Sequence, residues 1–408
     1  MKIDNQEREL STAGVIAGII AEYNPFHRGH AWQLAQTRAA GATHVVVVMS
    51  GCTVQRGEFS IAQTHVRAKM ALENGADLVI LLPTPWSCAR VQDFARAGVH
   101  LLNALGCVDR LSFGSESADI ETLQRAAALT EDERVVLSLR KRVGEGEAFA
   151  RARQGAVAEF DSQAAAVLRT PNDTLGVEYI SAIKHIGAKM EPFAIKRMGA
   201  AHDEIGGEGF ASASELRKIL KKHGANQKIL CEVMGAGLLL EEISSGRVPV
   251  DMQRLETAWL LRLRGMQSED FARLPDISEG MEHLLYRAMR EENSVRDILQ
   301  AATGKRYPAA RVRRVLFHAL LNQSAESLRE LPCFIRVIGH TAKGRELLQR
   351  AKSSATLPIA SRVADIKKLS TQAQLQFAHE CRAADMMALA MPQVQPCGLE
   401  QRRCTVAL

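Results

Sequence analysis

The first half of the chain alternates short apolar runs with longer segments of helical pattern. Residues 15–21 and 43–49 are β-branched apolar runs, typical of strands buried on both faces. Further strands are predicted at 78–82, 110–113 and 191–197, and helices at 31–40, 64–74, 91–105 and 175–186. This alternating order predicts an α/β fold with a doubly wound parallel sheet.

The second half has a different pattern. A glycine-rich stretch at 199–209 predicts a mobile segment, and from about Gly224 strand patterns nearly vanish. Amphipathic helices joined by short polar loops predict an all-helical second domain. We therefore expect an α/β domain over 1–223 and a helical domain over 224–408. The tail after Pro392 is expected to fray.

Composition excludes few classes of protein. The 408 residues are 46% hydrophobic and 24% charged, which is ordinary for a globular protein. No apolar run approaches the roughly 20 residues that span a bilayer, and the first ten residues lack the apolar core of a signal peptide. The eight cysteines form no evident disulfide framework. These features predict a cytoplasmic protein with no membrane partner, and they predict no particular oligomeric state.

Charge alone does not identify a partner. The chain has 52 basic and 46 acidic residues, a net charge of +6. Such a modest excess does not by itself indicate nucleic-acid binding, for which clustering is the better sign.

The chemistry is expected to centre on residues 18–34, GIIAEYNPFHRGHAWQL. Here a strand ends at the turn Asn24-Pro25, and a helix begins just after His27 and His30. The unpaired N–H groups of a helix N-terminus favour an anion, and two histidines three residues apart can donate to phosphate oxygens. Two alternatives are a structural histidine pair and a zinc site. No CxxC accompanies the histidines, and Cys52 and Cys88 do not have zinc-finger spacing.

Polar segments follow each of the first four predicted strands. They cover residues 22–30, 50–58, 82–90 and 114–116. Ligands of doubly wound sheets bind at the carboxyl ends of the strands. We therefore expect these segments to meet in one crevice.

A second segment of interest opens a later helix. Residues 211–217 read ASASELR, and hydroxyls with an arginine at a helix start suit a triphosphate. The alternative is an ordinary helix start, with Ser214 as N-cap and a solvated Arg217. Taken with His27-Arg28-Gly29-His30, the segment resembles the second motif of the HIGH nucleotidyltransferase superfamily, which includes class I aminoacyl-tRNA synthetases and small-molecule adenylyltransferases.

Further motifs narrow this resemblance. In chain order they are AEYNPFH (21–27), MSG (49–51), VQRGE (54–58), FGSE (113–116), PNDTLGVEY (171–179), IKR (195–197) and, more thinly, KRYP (305–308) and CFIR (333–336). This set resembles the bacterial tRNA(Met) cytidine acetate ligase family. The chain departs from that family's usual pattern at Asp173, at Leu81 and at His65-Val66.

The resemblance implies a two-step reaction. ATP and acetate would form acetyl-adenylate, and the N4 amine of the wobble cytidine of elongator tRNA(Met) would then attack the acetyl carbonyl. His27 and His30 would be the catalytic residues. The implied ATP site comprises Ile20, Ala21, Glu22, Tyr23, Asn24, Pro25, Phe26, His27, Arg28, Gly29, His30, Gln33, Gly114, Asn172 and Arg197, with Ser212, Ser214 and Arg217 from the second motif. Mg²⁺ is expected to be held mainly by the phosphates, so no protein metal ligand is assigned.

Several of these assignments have plainer alternatives. Asn172 suits an ordinary turn or helix cap, and Arg197 suits a plain surface arginine. Arg56 and Glu58 are interpreted either as a structural ion pair or as substrate contacts.

Basic residues cluster in two places. Lys218, Lys221 and Lys222 follow Arg217, and a second cluster comprises Lys305, Arg306, Tyr307, Arg311, Arg313 and Arg314. Such patches can follow phosphates, with the tyrosine stacking on a base. The alternative is a solvated helix face, and the family resemblance favours tRNA. The resemblance thus implies a nucleotidyltransferase-like, ATP-binding catalytic domain over 1–223 and a tRNA-binding helical domain over 224–408.

Two rival functions share the predicted fold. One is a small-molecule adenylyltransferase, for which the long helical half and the second basic cluster have no evident use. The other is a catalytically inactive nucleotide- or RNA-binding adaptor, which would not need both His27 and His30.

Overall fold

The chain builds one large sheet covered by helices on both faces. A computed structural model describes residues 14–198, 210–278 and 280–408. The predictions about the first ten residues and about the 199–209 segment lie outside these residues. The strands are β1 (Val15–Ala21), β2 (Ala42–Ser50), β3 (Thr53–Val54), β4 (Glu58–Phe59), β5 (Leu78–Leu82), β6 (Arg110–Ser115), β7 (Glu191–Lys196), β8 (Ile335–His340), β9 (Ile359–Ala360) and β10 (Val406–Ala407).

The sheet confirms the predicted α/β class. Its strand order is β10-β8-β5-β2-β1-β6-β7, with β9 paired to β8. The five strands from β5 to β7 run parallel, so their carboxyl ends share one edge. In β2, Val45 and Val47 belong to the apolar cluster on one face, and Val46 and Val48 to the cluster on the other. Burial on both faces explains why this strand is an uninterrupted apolar run.

The first helices cover the sheet in the predicted alternating order. Up to β7 the helices are α1 (Arg28–Ala39), α2 (Thr64–Glu73), α3 (Val91–Ala104), α4 (Ile120–Glu131), α5 (Glu133–Gly144), α6 (Phe149–Ala158), α7 (Ser162–Val167) and α8 (Pro171–Ile186). Helix α8 begins four residues earlier than predicted. Thr170 is its N-cap and Pro171 its first residue, because proline's fixed φ and missing N–H suit the first turn.

Helices dominate the remainder of the described chain. They are α9 (Ala213–His223), α10 (Gln227–Glu232), α11 (Ala236–Ser244), α12 (Glu256–Arg264), α13 (Ser268–Ala272), α14 (Met281–Glu291), α15 (Val295–Ala302), α16 (Ala309–Leu320), α17 (Ala342–Ser354), α18 (Val363–Ile366), α19 (Thr371–Leu389) and α20 (Leu399–Arg402). No helix within the described ranges is long and apolar enough to cross a membrane.

The helical region differs from the prediction in one respect. Strand β8 returns to the sheet and pairs antiparallel with β5, and β10 pairs with β8. The expected fraying of the tail was therefore wrong, since the chain after Pro392 forms α20 and an edge strand and buries Glu400. The division at residue 223 stays a prediction.

A small hairpin and one buried carboxylate join the helical region to the sheet's carboxyl edge. Strands β3 and β4 form the hairpin at the predicted polar segment 50–58, and the ring centroids of Phe59 and of Phe317 in α16 lie 5.1 Å apart. Glu380 of α19 is 1% exposed and accepts the backbone N–H groups of Cys52 (3.2 Å) and Thr84 (2.8 Å). The loops after β2 and β5 are thus fixed by a residue more than 290 positions away.

Candidate functional site

Two histidines cap the first helix against each other. His27 is the N-cap of α1, and its Nδ1 accepts the backbone N–H of Gly29 at 3.1 Å. His30 Nδ1 in turn accepts the backbone N–H of His27 at 3.3 Å. Because each Nδ1 acts as an acceptor, a neutral ring carries its proton on Nε2. Both imidazoles are therefore fixed as Nε2–H donors.

The surroundings keep both rings neutral. Burial, with smaller contributions from Arg197 and Arg217, lowers the pKa of His27 to about 4. Burial, then His27 and Arg197, lowers the pKa of His30 well below its ordinary value. The ring centroids lie 3.9 Å apart, so a charge on one ring would oppose a charge on the other. At neutral pH the pair offers hydrogen-bond donors without a formal charge of its own.

The residues between β1 and His27 support this turn from beneath. Tyr23 and Phe26 are buried, and Tyr23 packs edge-on against His30 with ring centroids 4.8 Å apart. Asn24 Oδ1 accepts the N–H of Ile61 at 2.7 Å, and the Asn24 carbonyl accepts from Arg217 at 2.7 Å. These side chains hold the turn and do not line the crevice above it.

A crevice of about 500 Å³, counting space open to solvent, lies above the histidines. Seven of the predicted residues line it: His27, Gly29, His30, Gln33, Gly114, Arg197 and Ser212. They come from the segments after β1 and β7, from the end of β6 and from the start of α9. The crevice is thus at the carboxyl edge of the parallel strands, as the sequence predicts. Of the four polar segments expected to meet there, only 22–30 and 114–116 contribute lining residues, and the segments 50–58 and 82–90 do not line it.

Gly114 and Arg197 form the wall opposite the histidines. A Cβ on Gly114 would lie 3.3 Å from Arg197 Cγ, closer than ordinary packing allows. Arg197 is exposed, and its NH1 lies 3.4 Å from Asn172 Oδ1 at the start of α8. Asn172 does not line the crevice itself but contacts a residue that does.

Other predicted residues lie beside the crevice. Ile20, Ala21, Pro25, Arg28 and Ser214 do not line it. The Arg28 guanidinium lies 3.6 Å from Glu232 and 4.9 Å from the ring centroid of Phe210, which does line the crevice. Glu22 accepts the N–H of Gln55 from the hairpin at 2.8 Å, and its burial raises its pKa. Glu58 is paired with Arg217 at 3.5 Å. Glu58 therefore takes part in an ion pair, as one of the two alternatives expected, but its partner is Arg217 and not Arg56.

The start of α9 corrects one assignment. The helix begins at Ala213, and its N-cap is Ser212, whose Oγ accepts the N–H of Glu215 at 3.2 Å. Ser214 therefore occupies the first turn and not the N-cap. Serine is a favoured N-cap residue, so Ser212 and Ser214 were equally good candidates from the sequence. The observed start of the helix at Ala213 identifies Ser212 as the cap.

Six lining residues were not among the predicted site residues: Trp32, Ile195, Lys196, Met198, Phe210 and Ala211. Three of them, Ile195, Lys196 and Ala211, lie in the segments 195–197 and 211–217 that the sequence analysis singled out. Trp32 follows His30 in the same helical turn, which was an available signal. Its indole Nε1–H is buried and has no hydrogen-bond partner within the described parts of the chain. No local pattern marks Met198 or Phe210, which flank the 199–209 segment.

The second basic cluster is only partly free to meet a ligand. Arg314 is paired with Asp276 at 2.6 Å and Arg311 at 3.4 Å. Tyr307 is 7% exposed, with the Arg306 and Arg311 guanidinium carbons 5.5 and 5.6 Å from its ring centroid. This arrangement does not support the stacking of a base on Tyr307. Lys305 and Arg306 are exposed and Arg313 is half-buried.

The described residues offer no group of three or more histidine, cysteine, aspartate or glutamate side chains that could hold a metal ion. His27 and His30 moreover use their Nδ1 atoms on backbone N–H groups. The zinc alternative therefore gains no support from the geometry.

Comparison with known proteins gives one consistent result. The HIGH Nucleotidyl Transferase family model matches residues 15–402. The tRNA(Met) cytidine acetate ligase of Caldanaerobacter subterraneus is 35% identical over 382 residues, covering 91% of this chain and 94% of that one. The ligase of the same name from Caldicellulosiruptor saccharolyticus is 36% identical over 348 residues, covering 82% and 84%.

Solved structures agree. The crystal structure of Thermotoga maritima TmcAL bound with alpha-thio ATP superposes with a TM-score of 0.89 at 29% identity, covering 97% of this chain and 99% of that one. The apo form of the same protein gives a TM-score of 0.90 at 30% identity, with the same coverage. The similarity thus includes the helical region as well as the sheet.

Proposed function

Because this chain belongs to the HIGH nucleotidyltransferases and, among them, to the tRNA(Met) cytidine acetate ligase family, we propose that it acetylates a tRNA cytidine at the expense of ATP. In the first step acetate attacks the α-phosphate of ATP, giving acetyl-adenylate and pyrophosphate. In the second step the N4 amine of the wobble cytidine of elongator tRNA(Met) attacks the acetyl carbonyl. The products are N4-acetylcytidine and AMP, and the substrate implies a cytoplasmic reaction.

The reciprocal cap of His27 and His30 is the observation that carries this proposal. It fixes two neutral Nε2–H donors at the N-terminus of α1, where the helix dipole also favours negative charge. A triphosphate lying over this end would receive both donors. As acetate attacks, charge builds on the phosphate oxygens, and donors already in position stabilise it.

The opposite wall suits the rest of the nucleotide. Gly114 leaves space where a Cβ would crowd Arg197, and the Arg197 guanidinium supplies a positive charge. The alpha-thio ATP bound by the similar Thermotoga maritima protein supports ATP as the nucleotide. Mg²⁺ would be held by the phosphates and water, which is usual for this ion beside a nucleotide.

Neither step requires a nucleophilic side chain. Acetate is the nucleophile of the first step and the cytidine amine that of the second. The protein's contribution is to position the reactants and to stabilise developing charge.

The RNA would approach across the helical region. Lys305 and Arg306 are exposed there and have no acidic partner among the described residues within ion-pair distance. Gly57 at the turn of the β3–β4 hairpin packs on the backbone of Arg313 and Arg314, and Gln55 of the same hairpin contacts Glu22. The hairpin therefore connects helix α16, which follows Lys305 and Arg306 in the chain, to the end of β1.

The test is a complete reaction with purified protein, ATP, Mg²⁺, acetate and an elongator tRNA(Met) transcript, followed by digestion and mass analysis for N4-acetylcytidine. We expect product that requires acetate and is lost with His30→Ala. A transcript carrying uridine at the wobble position is the matched control and should give none.

The partial reaction separates the alternatives. Acetate-dependent exchange of pyrophosphate into ATP without N4-acetylcytidine would retain the adenylate step and refute the acceptor. Absence of both signals would refute the ligase proposal and favour a metabolite adenylyltransferase.

A further inference from the structure

Glu116, just beyond the end of β6, makes an unusual set of contacts with the start of α8. Its carboxylate accepts the side-chain NH₂ of Asn172 at 2.6 Å and the backbone N–H of Asp173 at 2.9 Å. The backbone N–H of Asn172 lies at 3.4 Å from the same carboxylate. One acidic side chain thus satisfies the free N–H groups of a helix start and holds the asparagine amide beside them.

The chemistry of these groups fixes the direction of the Asn172 amide. An ionised carboxylate can only accept hydrogen bonds, so Asn172 must turn its NH₂ towards Glu116. The Asn172 Oδ1 then lies on the other side, 3.4 Å from Arg197 NH1, which can only donate. Two neighbours of opposite kind therefore require the same orientation.

The surrounding backbone is held just as firmly. Asp173 accepts from the Ser115 hydroxyl and, at 3.0 Å, from the N–H of Ser117. Lys196 Nζ donates to the Glu116 carbonyl at 2.5 Å. The segment after β6 is thereby tied to both α8 and β7, so Glu116 has little freedom to release the amide.

We propose that Glu116 is a positioning residue that makes Asn172 present only its carbonyl oxygen to the nucleotide. This inference rests on the proposed function, in which the nucleotide lies against Gly114 and Arg197 and extends past Arg197 to Asn172, just outside the crevice. The oxygen retains a lone pair beyond the one directed at Arg197, so it selects a ligand group that donates a hydrogen bond. ATP offers two kinds of donor, the ribose hydroxyls and the adenine N6 amine.

The experiment measures nucleotide affinity by titration calorimetry with Mg²⁺ and without acetate or RNA. The ligands are ATP, 2′-deoxy-ATP, 3′-deoxy-ATP and inosine triphosphate, which carries a carbonyl in place of the N6 amine. For the wild-type protein we expect one analogue to bind about 10-fold more weakly than ATP, the usual cost of one lost hydrogen bond. The analogue that weakens identifies the donor.

The variants test the role of Glu116. With Asn172→Ala the affinity ratio between ATP and that analogue should fall to within about twofold, because the accepting oxygen is gone. Glu116→Gln should reduce the ratio as well. Both carboxylate oxygens of Glu116 accept N–H groups, whereas a glutamine side chain has only one acceptor oxygen. Glu121→Gln, an exposed carboxylate on α4, is the matched control and should keep the wild-type ratio.

The affinity ratio is informative because a general loss of protein stability would weaken the binding of all four nucleotides alike and leave the ratio unchanged. An unchanged ratio in Glu116→Gln with a collapsed ratio in Asn172→Ala would refute the positioning role. Equal binding of all four nucleotides by the wild-type protein would refute the selection of a donor. Binding with the expected ratio but no N4-acetylcytidine would uphold this inference and refute the ligase proposal.

Discussion

Replacing His27 by asparagine separates its two roles. The asparagine Oδ1 can take over the bond that Nδ1 accepts from Gly29, since asparagine is among the best N-cap residues. It cannot extend an Nε2–H into the crevice. Alanine at the same position removes both functions, so the two variants together distinguish capping from phosphate binding.

The magnitudes follow from the geometry. Loss of the cap in His27→Ala should cost about 1 kcal/mol of unfolding free energy, whereas His27→Asn should cost little. Loss of a donor aimed at developing charge typically lowers a rate by about 10²- to 10³-fold. Both variants should therefore lose activity to a similar degree while differing in stability.

The pH dependence of stability gives an independent check. With a pKa of about 4 in the folded protein and 6.5 as its ordinary value, His27 binds more protons in the unfolded state between these pH values. The stability it contributes is therefore complete above pH 6.5 and is lost as the pH falls towards 4. The shift corresponds to about 3 kcal/mol, and His27→Asn should flatten the profile by that amount.

The assays are acetate-dependent pyrophosphate exchange and urea unfolding from pH 4 to 8. His44→Asn, a buried histidine at the amino end of β2, is the control and should keep the exchange rate of the wild type. Wild-type exchange in His27→Asn would show that His27 is only a cap. Equal destabilisation by asparagine and alanine would refute the capping role.

Three further predictions concern other parts of the molecule. Gly57→Ala should destabilise the protein by about 1–3 kcal/mol in urea unfolding, because Gly57 has φ of +75° and an added Cβ would lie 2.8 Å from Arg314 Cα. Gly41→Ala is the control and should cost less, because Gly41 also has positive φ but has open space around it. Glu380→Ala leaves two buried N–H groups without an acceptor and should cost about 2–5 kcal/mol, so a midpoint equal to that of the wild type would contradict the role given to this carboxylate. Chelation of Mg²⁺ should abolish pyrophosphate exchange, and restored activity on adding Mg²⁺ back would exclude damage by the chelator.

Local patterns predicted the central strands of the sheet well, because burial of a strand on both faces requires a run of apolar residues that is visible in the sequence. The β2 run is apolar throughout since both of its faces are covered. Strand β8 was not predicted, because its own residues do not form such a run. It is six residues long, includes the buried Arg336, and becomes a strand only by pairing with β5 some 250 residues earlier in the chain.

The same contrast applies to the candidate site. The strand, turn and helix around His27 and His30 follow from nearby residues, because proline, glycine and an apolar run act on the backbone locally. The side chains that face these histidines, in contrast, depend on how distant parts of the chain pack together. Gly114, Arg197 and Phe210 lie 84 to 183 residues beyond His27–His30 and meet them only through strand register and helix packing.

Tertiary structure also decided the state of each group. The ring nitrogen that carries the proton in His27, and the direction of the Asn172 amide, follow from hydrogen bonds to particular neighbours. No residue type or spacing encodes these choices, since both orientations suit an isolated side chain equally. The folded surroundings remove one of the two, because a buried donor or acceptor without a partner costs free energy.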